Sequence, residues 1–236
     1  MKTFAKIRFY WGAFTISFIV AIIMIPLITI FPKYKGTIMH KLNRAILFFM
    51  GAKVKAIGKR DKDANLFLMN HQGIMDIIAL EAIENTHFRW VAKKELFDTL
   101  WFGNLLKNGD MISVDRDNKA GLIKLIKDSK ETIEVKKRAV AIFPEGTRAK
   151  NQKLLKFKAG AKIVANKLKM RVQPIVIVGS KYVLNEHNKT GHSGVIEIHY
   201  LDAFNVQDAP KDWYENLQTK MQKYIDKLNQ ERNIER

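Results

Sequence analysis

From Phe9 to Phe31 the chain runs 23 residues without a charged side chain (FYWGAFTISFIVAIIMIPLITIF). As an α-helix at ~1.5 Å per residue such a run reaches ~34 Å, enough for the ~30 Å hydrocarbon core of a bilayer. It is too long for the apolar part of a cleaved signal, and no small-residue cleavage site follows it. It is apolar all round, whereas a helix packed by one face on a globular core is not. The segment therefore belongs in or on a membrane, and its surroundings bear on how it enters. Lys2, Lys6 and Arg8 precede it and Lys33 and Lys35 follow. A full span would leave a basic cluster on each side, against the usual concentration of Lys and Arg on one side. Pro26 lacks a backbone N–H and should bend the helix. A second apolar stretch, Ala45 to Gly51, lies a short turn away and is too short to span. These features favour a bent, re-entrant or in-plane helical pair anchored from the cytoplasmic side over a simple span. Residues 1–51 are expected to form this membrane-associated helical element, and residues 52–236 a domain of their own.

That domain reads as α/β. Short apolar runs rich in branched residues alternate with amphipathic stretches after Gly51. Strands are expected at Lys53–Ile57, Asn65–Met69, Phe88–Val91, Met111–Val114, Val140–Phe143, Val172–Val178 and Gly194–Tyr200. Helices are expected at Ile74–Ile83, Glu95–Leu106, Ala120–Val135 and Ala159–Leu168. A last helix follows Pro210 and places Trp213, Leu217, Met221, Tyr224, Ile225 and Leu228 on one face, the pattern of a helix packed on a sheet. The expected architecture is a mixed central sheet flanked by helices, preceded by the N-terminal membrane-anchoring helices. With 47% hydrophobic and 10% aromatic residues, the chain has ample material for a core.

Charge narrows the partners. Lys and Arg number 41 against 23 Asp and Glu, a net charge of +18. Such an excess calls for an anionic partner: nucleic acid, a membrane surface or a phosphorylated substrate. No nucleic-acid-binding motif is present, so no nucleic acid is expected. Five of the basic residues and none of the acids fall in the first 36 positions, so part of the excess belongs to the anchoring end. The chain has no Cys, which excludes disulfide scaffolds, Cys-ligated zinc and a Cys nucleophile. Its six His (His40, His71, His87, His187, His192, His199) show no clustered ligand spacing, so no metal is expected.

Two blocks carry chemistry. The first is Asn70-His71-Gln72-Gly73-Ile74-Met75-Asp76, just past the strand NLFLM. Ligands of open α/β sheets usually bind at strand ends. Asp76 lies about one turn inside the following helix, from which its carboxylate can reach back to His71. A carboxylate-oriented imidazole is the standard arrangement of a general base. A turn His with a capping Asp explains the spacing equally. The second block is Ile142-Phe143-Pro144-Glu145-Gly146-Thr147-Arg148, a strand running into a tight turn. Its Gly allows close backbone approach to a ligand, and its Arg presents a planar fork suited to phosphate. An ordinary turn with a surface Arg fits this block as well.

Together, H-x-x-x-x-D at His71 and Asp76 and F-P-E-G-T-R about seventy residues on resemble the glycerophospholipid acyltransferase family. Gly109-Asp110-Met111-Ile112-Ser113-Val114-Asp115-Arg116, Phe157-Lys158-Ala159-Gly160-Ala161 and Val172-Gln173-Pro174-Ile175-Val176-Ile177 resemble its other blocks, in the right order over roughly residues 50 to 200. The bacterial lysophosphatidic acid acyltransferases within the family are the most similar in size, N-terminal membrane segment and intact Glu-Gly-Thr-Arg. The resemblance implies that His71 deprotonates the 2-hydroxyl of lysophosphatidic acid and that Asp76 orients His71. The hydroxyl would attack an acyl thioester directly, without an acyl-enzyme. Arg116, Arg148 and Lys158 would hold the substrate phosphate. Glu145, Gly146 and Thr147 would shape the substrate site, and backbone N–H groups near Glu145 and Gly146 would face the oxyanion. The resemblance implies no cofactor beyond acyl-CoA or acyl carrier protein as co-substrate. It implies a bacterial cytoplasmic membrane, with the catalytic domain on the cytoplasmic side and an anionic membrane surface as partner.

Two other readings fit part of the sequence. The same chemistry could act on glycerol-3-phosphate or another lysophospholipid. A non-enzymatic protein binding anionic lipid would explain the anchor and the charge, but not the His–Asp pair.

Overall fold

A computed structural model describes residues 2–84, 87–116 and 118–231; the outermost residues of the two expected segments, Met1 and 232–236, lie outside it. Lys2–Phe18 (α1) runs through a π-helical stretch, Ile19–Met24, into Ile25–Ile30 (α2). Pro26 stands in the first turn of α2. Its missing N–H and its ring would clash with the regular ladder, and the wider winding just before it takes up the mismatch. The chain then turns through Pro32–Tyr34 into Lys35–Met50 (α3). Arg8 Nη2 donates to the Met50 carbonyl (2.7 Å) and Trp11 Nε1 to that of Phe49 (3.1 Å). These bonds tie the start of α1 to the end of α3, so the two run antiparallel. Gly51, at φ 64°, closes α3 in the left-handed conformation that glycine adopts without strain.

The helix Lys2–Ile30 is long and apolar enough to cross a membrane, yet one side of it packs on the protein. Gly12, Thr15, Ile19, Val20, Met24 and Ile28 are buried, while Phe4, Tyr10, Trp11, Phe14, Phe18 and Ile22 are exposed, joined by Phe48 and Phe49 of α3. Apolar exposure on this scale marks a membrane or partner surface. The pair is compatible with membrane association through this outer face.

The remaining elements, in chain order, are Ala52–Ile57 (β1), Leu66–Met69 (β2), Ile74–Ile83 (α4), Arg89–Lys93 (β3), Lys94–Phe97 (α5), Leu100–Asn108 (α6), Ile112–Val114 (β4), Lys119–Glu134 (α7), Val140–Ile142 (β5), Ala159–Lys167 (α8), Arg171–Val178 (β6), Ser180–Val183 (α9), Leu184–Asn185 (β7), Thr190–Gly191 (β8), Gly194–Tyr200 (β9), Phe204–Asn205 (β10) and Trp213–Glu231 (α10). The expected α/β class holds, with a mixed central sheet in the order β1-β9-β6-β2-β5-β3-β4. The run β6-β2-β5-β3-β4 is parallel throughout, whereas β9 is antiparallel to β6. Side chains alternate across the strands. Phe67, Met69, Ala141, Ile175 and Ile177 face the core shared with α3 and α4. Leu66, Leu68, Val140, Ile142, Val172 and Val176 face the core shared with α7, α8 and α10. The sheet is therefore covered on both faces, which is why its parallel strands read as unbroken apolar runs.

Two features depart from the expected pattern. The helix expected over Glu95–Leu106 is two, broken where Thr99 becomes extended. Gly103 lets the second helix lie directly on the end of the first, since a Cβ there would come within 2.3 Å of the Phe97 carbonyl oxygen. The short α9, the β7–β8 hairpin and β10 carry too few residues for periodicity to reveal them.

Glu81 of α4 lies fully inside the α3–α4 face and accepts from Trp90 Nε1 (2.7 Å). Burial pushes its carboxyl from 4.5 to about 7, against the pull of the Trp90 bond. Between those values the folded chain holds a proton that the unfolded chain has released, so stability falls as pH rises across the window, by up to about 3 kcal/mol. Glu81→Gln should leave the thermal midpoint near wild type at pH 5 and raise it at pH 8. Melting curves at the two pH values check this.

Candidate active site

The parallel strands β2, β5, β3 and β4 all point the same way, and their carboxyl ends carry the two blocks and the residues between them. Leu68 pairs with Ile142 across β2 and β5, so the turns that follow, at His71 and at Glu145, lie side by side. The last residue of β4, Val114, leads through Asp115 into Arg116 at the same edge.

His71 Nδ1 bonds Asp76 Oδ2 at 2.9 Å. The same carboxylate oxygen accepts the backbone N–H groups of Gln72 (2.6 Å) and Gly73 (2.9 Å). Asp76 is the third residue of α4, so one side chain caps the helix and holds the imidazole. This explains the five-residue spacing: the carboxylate must sit one turn in to reach back over the turn. With Asp76 fully buried and accepting three bonds at one oxygen, Nδ1 carries the proton and Nε2 is the basic nitrogen. The ring stacks on Phe143, with centroids 3.8 Å apart and planes 14° apart, and Phe143 stacks on Trp90 at 5.2 Å. These three side chains line a cavity of about 670 Å³. Its walls are apolar toward Met39, Ile74, Ile77, Leu96, Phe102 and Leu105, and Arg116, Thr147 and Arg148 stand at its polar end.

Glu145 is buried and clamps the two turns together. Its Oε1 accepts from the His71 N–H (2.8 Å) and its Oε2 from the Leu155 N–H (2.7 Å). Burial raises its carboxyl to about 7, opposed by those two donors. The turn Phe143 to Gly146 is closed by Gly146 N–H to the Phe143 carbonyl (3.0 Å), so that N–H is committed within the turn and not open to an oxyanion. Gly146 has φ 73°, and a Cβ there would sit 3.3 Å from Arg116 Nη1 and 3.4 Å from Lys158 Cγ. Arg116 donates to the Gly146 carbonyl.

The three expected phosphate-binding cations are thus divided. Arg116 and Lys158 flank Gly146. Arg148 pairs with Glu186. Arg116 and Arg148 border the cavity of His71, whereas Lys158, with Arg116, borders a neighbouring cavity of about 640 Å³ between α7 and α8.

Several neighbours were not legible as site residues. Glu186 lies in the β7–β8 hairpin. Lys181 on α9 is buried and donates to the Ala149 carbonyl (2.5 Å), while the Ala149 N–H donates to the His71 carbonyl (2.8 Å). Burial lowers the Lys181 ammonium, against the raising fields of Asp76 and Glu186. Phe143 and Trp90 sit in strand-like runs where an aromatic signals only a core. Among the described residues no group of three or more His, Asp or Glu side chains could hold a metal ion.

The chain is similar to known proteins. A family model described as Acyltransferase matches residues 52–178, from β1 to the end of β6. The chain is 38% identical over 174 residues to a 1-acyl-sn-glycerol-3-phosphate acyltransferase of Helicobacter pylori, covering 73% of this chain and 73% of that one. It is 25% identical over 189 residues to a protein of the same name from Escherichia coli, covering 79% and 76%. A crystal structure of the 1-acyl-sn-glycerophosphate (LPA) acyltransferase PlsC from Thermotoga maritima superposes with a TM-score of 0.78, over 100% of this chain and 99% of that one, at 17% identity, a likeness of fold.

Proposed function

The chain belongs to the acyltransferase family, and from that premise we propose that it transfers a fatty acyl group from a thioester donor to the 2-hydroxyl of lysophosphatidic acid, forming phosphatidic acid for phospholipid biosynthesis. The observation that carries this reading is the His71–Asp76 pair at the strand ends, opening on a cavity with apolar walls and an Arg-bearing polar end. A lysophospholipid has the matching shape: a chain for the apolar wall, a phosphate for Arg116 and Arg148, and a hydroxyl between them.

His71 Nε2 takes the hydroxyl proton as the oxygen attacks the thioester carbonyl. The tetrahedral intermediate then collapses, and the leaving thiolate takes the proton back from the imidazolium. Asp76 fixes the tautomer that leaves Nε2 unprotonated and balances the transient charge. Phe143 and Trp90 hold the ring flat and limit water on that side. Glu145 sets the distance between the two turns through His71 N–H and Leu155 N–H. Lys158, with Arg116, supports the Gly146 turn from the second cavity.

The exposed aromatic face of α1 and α3 would seat the protein in the cytoplasmic leaflet of a bacterial inner membrane, where its acceptor and product both lie. The basic excess outside the first 36 residues suits anionic headgroups and an anionic donor, acyl-CoA or acyl carrier protein, at about 1 kcal/mol per basic residue near the surface. The test is a mass-spectrometric assay of the detergent-solubilised protein with both donors and two acceptors. Phosphatidic acid should form from lysophosphatidic acid. Turnover of glycerol-3-phosphate without turnover of lysophosphatidic acid would overturn the assignment of the acceptor.

A further inference from the structure

We propose that Glu186 is an internal anion occupying the acceptor-phosphate subsite of the free protein, and that the substrate phosphate takes its place. The proposal rests on the reading of the site given under Proposed function. Glu186 lies in the turn of the β7–β8 hairpin and reaches into the polar end of the His71 cavity. One of its carboxylate oxygens, Oε2, pairs with the Arg148 guanidinium. The other, Oε1, accepts the Ile74 N–H at the start of α4 (3.0 Å). A Cβ on Gly73 would lie 3.4 Å from Oε1, an ordinary contact, so the carboxylate sits directly against the turn before α4.

A guanidinium fork and an N–H at a helix N-terminus are the two donors a phosphate group would take. The carboxylate has both. Arg148 and Glu186 side chains are 41% and 28% exposed, and an ion pair this open to water is weakly held. A phosphate monoester carries more charge than a carboxylate and three terminal oxygens, so it can displace Glu186 at low cost. Glu186 competes again after acyl transfer, because phosphatidic acid keeps the same phosphate, and its return helps expel the product. The hairpin that carries Glu186 is fixed against the membrane helix: a Cβ on Gly191 would meet the Phe9 N at 2.8 Å and the Arg8 carbonyl carbon at 2.9 Å. The hairpin thus packs on α1, and the exchange with phosphate is a movement of the Glu186 side chain alone.

Glu186→Gln tests the proposal, because the amide keeps an acceptor for the Ile74 N–H and removes the charge. The KM for lysophosphatidic acid and the inhibition constant of inorganic phosphate should both fall about two- to fivefold, with kcat not rising. Loss of structure would instead raise KM and lower kcat together. Should that variant fail to fold, Glu186→Asp, whose shorter side chain retracts the charge, should move both constants in the same direction. Either variant leaving both constants unchanged, or raising them, overturns the proposal. A wild-type protein that transfers no acyl group to lysophosphatidic acid would refute the proposed function. An active wild type whose phosphate constants do not respond to Glu186→Gln would refute only the role of Glu186.

Discussion

Replacing His71 with alanine is expected to lower kcat for phosphatidic acid formation by about 10³-fold, within the 10²–10⁴ range that a positioned general base contributes. The hydroxyl of a glycerol backbone is a poor nucleophile with its proton in place, and Nε2 is the basic nitrogen that the dyad turns toward the cavity. The substitution removes a ring that is 12% exposed and stacked on Phe143, so some packing is lost. The His71 backbone N–H and carbonyl keep their bonds to Glu145 and Ala149, and those bonds hold the two turns together. Vesicle binding, which the proposed function assigns to the exposed face of α1 and α3, should be unchanged. Rates by mass spectrometry, with melting curves and vesicle flotation on the same preparations, separate loss of chemistry from loss of fold. Activity near wild type would remove His71 from the reaction.

Asp76→Asn should produce a loss of similar size, about 10²- to 10⁴-fold in kcat. Oδ2 of Asp76 accepts from His71 Nδ1 and from two backbone N–H groups. An asparagine oxygen in the place of Oδ2 can accept the same three donors, while its amide N–H₂ stands where Oδ1 has no partner. The amide is neutral, so it no longer balances the imidazolium that forms when Nε2 takes the hydroxyl proton. The ring keeps its place and loses the charge that makes it an effective base. The side chain stays nearly isosteric and still caps α4, so the melting temperature should fall little compared with the rate. A large drop in melting temperature with an intact rate per folded molecule would assign Asp76 to the helix cap alone.

The parts of this structure that were legible in the sequence are local. His71 and Asp76 fall within six consecutive residues, so the geometry of one turn and the start of one helix is enough to bring them together. The face of α10 follows from its spacing, and Trp213, Leu217, Met221, Ile225 and Leu228 are all buried, with Tyr224 at the edge. The strands β2, β5 and β6 were visible as unbroken apolar runs because both sheet faces are covered. What was not legible depends on contacts distant in the chain. Glu145 reaches the His71 N–H only because β2 and β5 are neighbours, a pairing that no spacing in the sequence encodes. Arg148 was legible as a basic residue of its block, but its ion-pair partner Glu186 was not, because Glu186 sits on a hairpin of two-residue strands too short to register. The π-helical stretch at Ile19–Met24, just before Pro26, was not legible, because apolar spacing does not distinguish π from α winding.

The central claim is that His71 and Asp76 act as one base on the acceptor hydroxyl. Groups that act as a unit show strongly non-additive losses when removed together. The direct measurement is kcat for phosphatidic acid formation in His71→Ala, Asp76→Asn and the double variant, under saturating donor and acceptor. The account predicts that the double variant is no slower than His71→Ala alone, because Asp76 has no imidazole left to orient. A double variant whose loss is the product of the two single losses would contradict it, since the two side chains would then contribute independently.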